Sequence, residues 1–312
     1  MRIAAVQLNA IFADVEVNMK KSEEYIRQAV ASGAELVLLP EFFTSAIGFS
    51  DKMLDVAFQN KQVHNTLLYL AKEYHTIIGG SYIAFDGNNA YNLFELVFPN
   101  GDSYQHKKDI PTQFENCYYA NGDENNVLYT PIGNIGVALC WEMIRTDTIK
   151  RLSGKVDIVL CGSCWWDLPN DAPKEREPLR QYNQTLALET PVRFAKLLNV
   201  PVIHANHCGN VTAWNFPSLN KLQTRQLVGA AQIIDVQGNI LARRCFNENE
   251  GVVISDISWE IGNRKSAEPS TQSYWIPSLP DSYINAWETI NPKGKDYYYD
   301  VALHHYRKQC ET

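Results

Sequence analysis

The chain has 312 residues, 45% of them apolar, 20% charged and 11% aromatic, enough for one large core or two ordinary ones. Its formal net charge of −7 disfavours nucleic acid and anionic lipid as partners, and basic residues pair up, as in Lys107-Lys108 and Arg243-Arg244, without forming a stripe. No apolar run reaches the ~18 residues a membrane span requires, Ile3 to Val6 is too short for a signal peptide, and seven cysteines without a disulfide rhythm point to a reducing, cytoplasmic setting.

In chain order, Ile3–Leu8 reads as a strand. Val17–Ser32 reads as a helix that stops at Gly33. Leu36–Leu39 is a continuous apolar run, as expected of a strand buried on both faces. Lys61–Tyr74 has apolar positions at helical spacing. From Thr76 the texture changes to consecutive strands, Thr76–Phe85, Ala90–Phe98 and Ser103–His106, punctuated by Asp86-Gly87-Asn88-Asn89 and Pro99-Asn100-Gly101-Asp102. Ile135–Leu139 and Val156–Cys161 read as buried strands flanking a short helix at Asp147–Leu152. Leu179–Asn199 reads as helical with an interruption at Thr190-Pro191, where Thr caps and Pro opens a new helix. Val200–Ala205, Gly229–Asp235, Ile240–Arg243 and Val252–Ile257 complete the strands. The pattern predicts an α/β or mixed α+β layered domain over residues 1–262. From Asn263 to Thr312, prolines and the cluster Tyr297-Tyr298-Tyr299 predict an extended tail that docks on its own domain or on a second subunit.

Chemistry-bearing residues fall where strands end. Cys140 closes the apolar run Gly133–Leu139, Glu41 follows Leu36–Pro40, and Lys108 follows Tyr104–Lys107. Carboxyl ends of parallel strands face ligand crevices in α/β sheets. A thiol there is either a small core residue or a nucleophile, and as a nucleophile it requires a base or positive charge beside it. Glu41 is placed to take the thiol proton, and Lys108 with the Trp141 N–H to hold an oxyanion. Taken singly, Glu41 reads as a helix-cap acid or a surface charge.

Leu39-Pro40-Glu41, the stretch Lys108–Glu115 and Gly136–Glu142 together resemble the Glu, Lys and Cys motifs of the nitrilase superfamily of carbon–nitrogen hydrolases. The resemblance runs from Arg2 to about Ile257 and includes His204–Gly209. It implies a four-layer α-β-β-α sandwich on pairing, usually a homodimer, with Glu41 as general base, Lys108 as oxyanion stabiliser, Cys140 as nucleophile and Glu115 as a positioning glutamate. Lys107 is the rival of Lys108, and the spacing to Pro111 and Glu115 favours Lys108. The implied reaction is hydrolysis of a small-molecule amide or nitrile through a Cys thioester, with no metal or organic cofactor. Cys140-Trp141-Glu142 resembles the nitrilase branch, while Met143–Thr146 lacks the proline expected downstream of it. A carbamoyl-cleaving enzyme and a catalytically silent binding module on the same fold are the alternatives.

Trp141, Trp165, Trp166, Phe114, Tyr118 and Tyr119 are candidate pocket walls, and Arg145 or Arg193 candidate partners of a substrate carboxylate. Cys161-Gly-Ser-Cys164 has redox-motif spacing but no helix opening after it, so pocket lining is the preferred reading. His204, His207 and Cys208 lack a second pair of ligands at zinc-like spacing and are read as structural. No Gly-x-Ser-x-Gly elbow and no dinucleotide loop is present.

Overall fold

The structure is a computed structural model and describes residues 1–123, 127–245, 248–262 and 273–311. The first strands are β1 (Arg2–Leu8), β2 (Leu36–Leu38), β3 (Ile77–Phe85), β4 (Ala90–Val97) and β5 (Ser103–Lys107). They are followed by β6 (Val127–Thr130), β7 (Gly133–Leu139), β8 (Ile158–Ser163), β9 (Trp166–Pro169) and β10 (Val202–His207). The last are β11 (Asn210–Trp214), β12 (Leu222–Leu227), β13 (Gln232–Ile234), β14 (Ile240–Arg243) and β15 (Gly251–Asp256). The helices are α1 (Val15–Ala31), α2 (Met53–Gln59), α3 (Val63–Tyr74), α4 (Thr146–Leu152), α5 (Glu177–Leu198), α6 (Asp281–Tyr297) and α7 (Leu303–Cys310).

Strands run in the order β5-β4-β3-β2-β1-β10-β8-β7-β6, with β15 on β1 and β13-β14 on β10. Among the described residues, the strands of the two halves pair where Gln7 and Leu8 at the end of β1 meet Asn206 and His207. Alternation along the strands builds three apolar layers. Ala4, Val6, Val37 and Ile78 face α1 and α3. Ile3, Ala5, Leu36 and Leu38 face inward against Ile135, Val137, Leu160 and Ile203 of the other half. Ala138, Val159 and Val202 face outward onto α4 and α5. The α-β-β-α layering is therefore complete within one chain, without pairing of subunits.

Two expectations need correction. The helix expected to break at Thr190-Pro191 is continuous from Glu177 to Leu198. Burial of Phe194, Ala195 and Leu198 holds its second half on the sheet, and Gln232 donates to the Leu188 carbonyl at 3.1 Å in the turn before the proline. The described part of the tail is largely helical rather than extended. Residues 263–272 lie outside the described residues, but α6 and α7 dock on their own chain.

That docking is specific. The Tyr298 hydroxyl donates to Asn89 and accepts from the Ala90 N–H, and the wholly buried Tyr306 hydroxyl donates to the Tyr118 carbonyl at 3.0 Å. Each large side chain so removed from water contributes about 1.5–3 kcal/mol relative to exposure. Gly294 lies where α6 crosses the 3₁₀ turn Gln113–Cys117: a Cβ built there would meet Asn116 Cβ at 2.7 Å and the Gln113 carbonyl at 3.2 Å. We therefore expect Gly294→Ala to destabilise by about 1–3 kcal/mol through overpacking. The ~1 kcal/mol that alanine normally gains over glycine in a helix acts in the other direction and is smaller. A denaturation midpoint at or above wild type would overturn the close approach.

Candidate active site

Parallel strands β2, β7, β8 and β10 all end at one edge, and each delivers a group to it. Glu41 follows β2, Cys140 follows β7, Cys164 follows β8, and His207 ends β10. Gly162 lets β8 pass Glu41, since a Cβ there would come within 2.7 Å of the Glu41 amide nitrogen. Cys140 sits at φ +50°, with Phe42 at +52° and Gln113 at +53°, so three non-glycine residues take the left-handed conformation around the site. Such backbone costs of order 1–3 kcal/mol each and persists where surrounding contacts over-determine it.

The centre is a buried ion triplet. Lys108 Nζ donates to Glu41 Oε1 at 2.9 Å and to Glu115 Oε2 at 2.7 Å, and Lys108 is fully buried. Two of its three N–H donors are used there. Glu41 Oε1 also accepts from Asn92 Nδ2 at 2.8 Å, and Oε2 accepts from the Cys164 N–H at 3.0 Å. His207 Nε2 lies 2.7 Å from the Glu41 carbonyl and fixes the backbone from behind. Glu115 Oε2 accepts from the Thr112 N–H at 2.9 Å and from the Tyr119 hydroxyl.

Burial pushes Glu41 up to about 7, against the lowering effect of Lys108 and with the charge of Glu115 adding to the rise. Burial works against the Lys108 ammonium, but Glu115 and Glu41 outweigh it and hold its pKa above the usual range. Burial and then Glu41 push the Cys140 thiol well above its ordinary value, with Lys108 opposing. The charges explain the resting state. Two carboxylates and one ammonium already sum to −1, so a thiolate would bring the buried site to −2. Cys140 is held as a neutral thiol beside a carboxylate of raised basicity.

A second buried network sets the Cys140 turn. Glu142 accepts from the Leu139 N–H at 2.7 Å and the Asp109 N–H at 2.9 Å, and lies 3.2 Å from His106 Nε2. It ties the end of β7 to the residue after Lys108. Burial would raise its pKa, but His106, a side-chain hydrogen bond with Asp109 and the charge of Arg145 outweigh burial and lower it.

A cavity of about 260 Å³ opens onto Cys140 and Glu115 and is lined by Phe114, Trp141, Trp165 and Trp166 among others. The structure thus brings the expected Glu41, Lys108, Glu115 and Cys140 to one place and sets the three tryptophans on the cavity wall. Trp165 is fixed by its indole N–H donating to Asn183 at 3.0 Å. Tyr118 and Tyr119 do not line the cavity: Tyr118 is buried against Ser50, and Tyr119 stands behind Glu115. Neither expected arginine is available to a substrate. Arg145 is buried on Asp109, and Arg193 pairs with Glu189 one turn away. Cys161 and Cys164 are both free and buried, and Cys164 contributes its backbone N–H to Glu41. His204 meets Ser163 at 2.9 Å and, like His207, is pushed down to about 4 by burial. Among the described residues no group of three metal-binding side chains occurs, and no helix is long and apolar enough to cross a membrane.

Missed in the sequence is the contribution of α6. Tyr283, Ala286 and Ile290 line the cavity, and Trp287 stacks 5.9 Å from Trp141 with an interplanar angle of 11°. The signal was present as an i, i+3/i+4, i+7 spacing of Tyr283, Ala286, Trp287 and Ile290.

Residues 2–263 match the family model described as carbon-nitrogen hydrolase, and the chain belongs to that family, within the nitrilase superfamily. It is 29% identical to Nitrilase 1 of Arabidopsis thaliana over 164 residues, 46% of this chain and 47% of that protein. It is 24% identical to the cyanide hydratase of Armillaria gallica over 183 residues, 53% of this chain and 51% of that protein. The chain thus spans about half the length of the curated relatives it matches. In fold it is similar to an amidase from Nesterenkonia sp. AN1, with a TM-score of 0.64 and 18% identity over 83% of this chain and 93% of that one. It is also similar to a carbon-nitrogen hydrolase from Helicobacter pylori G27, with a TM-score of 0.67 and 16% identity over 81% and 88% of the two chains.

Proposed function

We propose that this site hydrolyses a small-molecule amide or nitrile through a Cys140 thioester, releasing ammonia or an amine and a carboxylic acid. The observation that carries this reading is the Lys108 ammonium bonded to both Glu41 and Glu115, beside a thiol that faces an aromatic cavity. Cys140 attacks the carbonyl carbon as Glu41 takes its proton. Because the resting thiol is neutral, attack and proton transfer are coupled, unlike attack by a preformed thiolate. The oxyanion is met by Lys108 and by the Trp141 N–H, an amide in the first turn of the 3₁₀ helix Cys140–Ile144 and so without an intrahelical acceptor. Glu41 returns the proton to the leaving nitrogen. A water then gives its proton to Glu41 and its oxygen to the thioester carbon, and the proton passes back to the departing sulfur. For a nitrile, attack gives a thioimidate. Water adds to it and ammonia leaves, reaching the same thioester.

Ammonia release across primary amides, nitriles and carbamoyl compounds tests the reading. Release from amides or nitriles supports it, release from carbamoyl compounds alone would favour a carbamoyl-cleaving enzyme instead, and release from amides with none from nitriles would remove the nitrilase branch. Absence of release from every class would favour a binding module. The pH dependence follows from Glu41, which must be ionised to accept the thiol proton. With its pKa raised to about 7, kcat/KM is expected to fall about tenfold per unit as pH drops below 7 and to level off above it. Glu41→Gln removes that limb along with most of the rate.

A further inference from the structure

Four charged side chains reach the cavity: Glu115, Asp167, Arg176 and Arg225. The two acids are already neutralised. Glu115 holds Lys108, and Asp167 holds Arg180 at 3.0 Å while accepting from Gln184 at 2.8 Å. Asp171, the next acid along the chain, is taken by Lys221. Among the described residues neither Arg176 nor Arg225 has a carboxylate within ion-pair distance.

Arg225 is the half-buried one. Its guanidinium reaches the Asp167 carbonyl at 3.4 Å and Gln223 Oε1 at 3.1 Å, which occupies at most two of five donors. It lies 5.5 Å over the Trp166 ring. Burial, then the like charge of Arg176, pushes its pKa down to about 10, against the attraction of Asp167 and Asp171. A partly desolvated cation beside a second cation, with donors unspent, recovers charge-assisted hydrogen bonds when an anion enters. The surface leading there is flat and apolar: the Trp166 ring under Arg225 lies 4.7 Å from that of Phe114, the residue before Glu115.

We propose that Arg225 and Arg176 form a carboxylate-binding subsite, so that the substrate is an organic anion bearing its amide or nitrile on a flat or short apolar segment. This rests on the hydrolytic reading for the position of the scissile bond. The subsite lies on β12 and the 3₁₀ turn Lys174–Arg176, outside the four layers that carry Glu41, Lys108 and Cys140. At about 260 Å³ the cavity is below the ~300 Å³ at the small end of ligand pockets, which selects a compact molecule.

The test is calorimetric titration of the Cys140→Ala protein with two matched pairs, 4-carbamoylbenzoate and its methyl ester, and succinamate and its methyl ester. At least one acid is expected to bind roughly ten- to a hundredfold tighter than its ester, with the advantage shrinking as salt is added. Arg225→Gln, added to Cys140→Ala, should erase that advantage and leave the ester's affinity unchanged, and Arg225→Lys should restore part of it. Esters that bind as well as their acids, binding by no member of either pair, or equal weakening of acid and ester by Arg225→Gln would each overturn the subsite. No turnover is needed, so this result is separable from failure of the ammonia assay.

Discussion

Replacing Cys140 by alanine is expected to lower ammonia release by roughly 10⁴-fold or more while leaving the fold intact. Loss of a nucleophile from a concerted catalytic group removes almost the whole chemical contribution of that group, leaving what binding and oxyanion stabilisation supply. The protein should survive the change. Cys140 lies at φ +50°, where alanine meets the same steric cost as cysteine, and its N–H and carbonyl are unaltered. Cys140→Ser is expected to be nearly as inactive, because a serine hydroxyl is far less acidic and less nucleophilic than a thiol and leaves a larger proton-transfer mismatch with Glu41. Intact mass spectrometry during turnover should reveal an acyl adduct on wild type and none on the alanine variant. Ammonia release that persists in Cys140→Ala would sink the mechanism.

Lys108→Met is expected to cost both stability and rate, and for one reason. The ammonium is fully buried between two carboxylates. Its removal leaves Glu41 and Glu115 facing each other uncompensated, a change that costs about 3–5 kcal/mol when a buried pair is broken from one side. The same variant loses an oxyanion donor, worth about 10²–10³-fold in kcat. These effects separate in Lys108→Met/Glu115→Gln. Neutralising one acid should restore part of the denaturation midpoint while activity stays low, a coupling that a double-mutant cycle reads directly. Equal midpoints for Lys108→Met and wild type would show that the triplet is solvated or absent.

The buried networks explain why this site tolerates so many ionisable groups. Glu41 is held by two side-chain donors and one backbone donor, and Glu142 by two backbone donors and His106. A charge in a low-dielectric interior persists where its hydrogen bonds are met. Asp109 shows the same economy. It receives Arg145 and Arg151 while burial, then Glu142, raises it to about 6. The arginine that the sequence offered to a substrate is thus used to hold the turn after the nucleophile.

How much was legible in the sequence depended on how local the determining physics was. Strand identity in Leu36–Leu39 and Ile135–Leu139 follows from short runs buried on both faces, and Glu41 and Cys140 were readable because each directly follows such a run, whereas Lys108 follows the half-exposed strand Ser103–Lys107 and Glu115 was offered only by the resemblance to the family motif. The helix at Val15–Ala31 was legible from its periodicity and from Gly33, which takes φ +84° just past it. Helix α5 was misread at Pro191 because the penalty of a proline is local, whereas the packing of Phe194 and Leu198 that overrides it is not. Tertiary structure alone decided that Cys164 offers its N–H to Glu41, that α6 packs over Trp141, and that Arg225 rather than Arg145 or Arg193 lines the cavity. Residue types and their spacing define which groups are reactive. How the site is closed up around them is set by contacts between segments more than a hundred residues apart, such as Glu41 with Cys164 and Trp141 with Trp287, and no local pattern records those contacts.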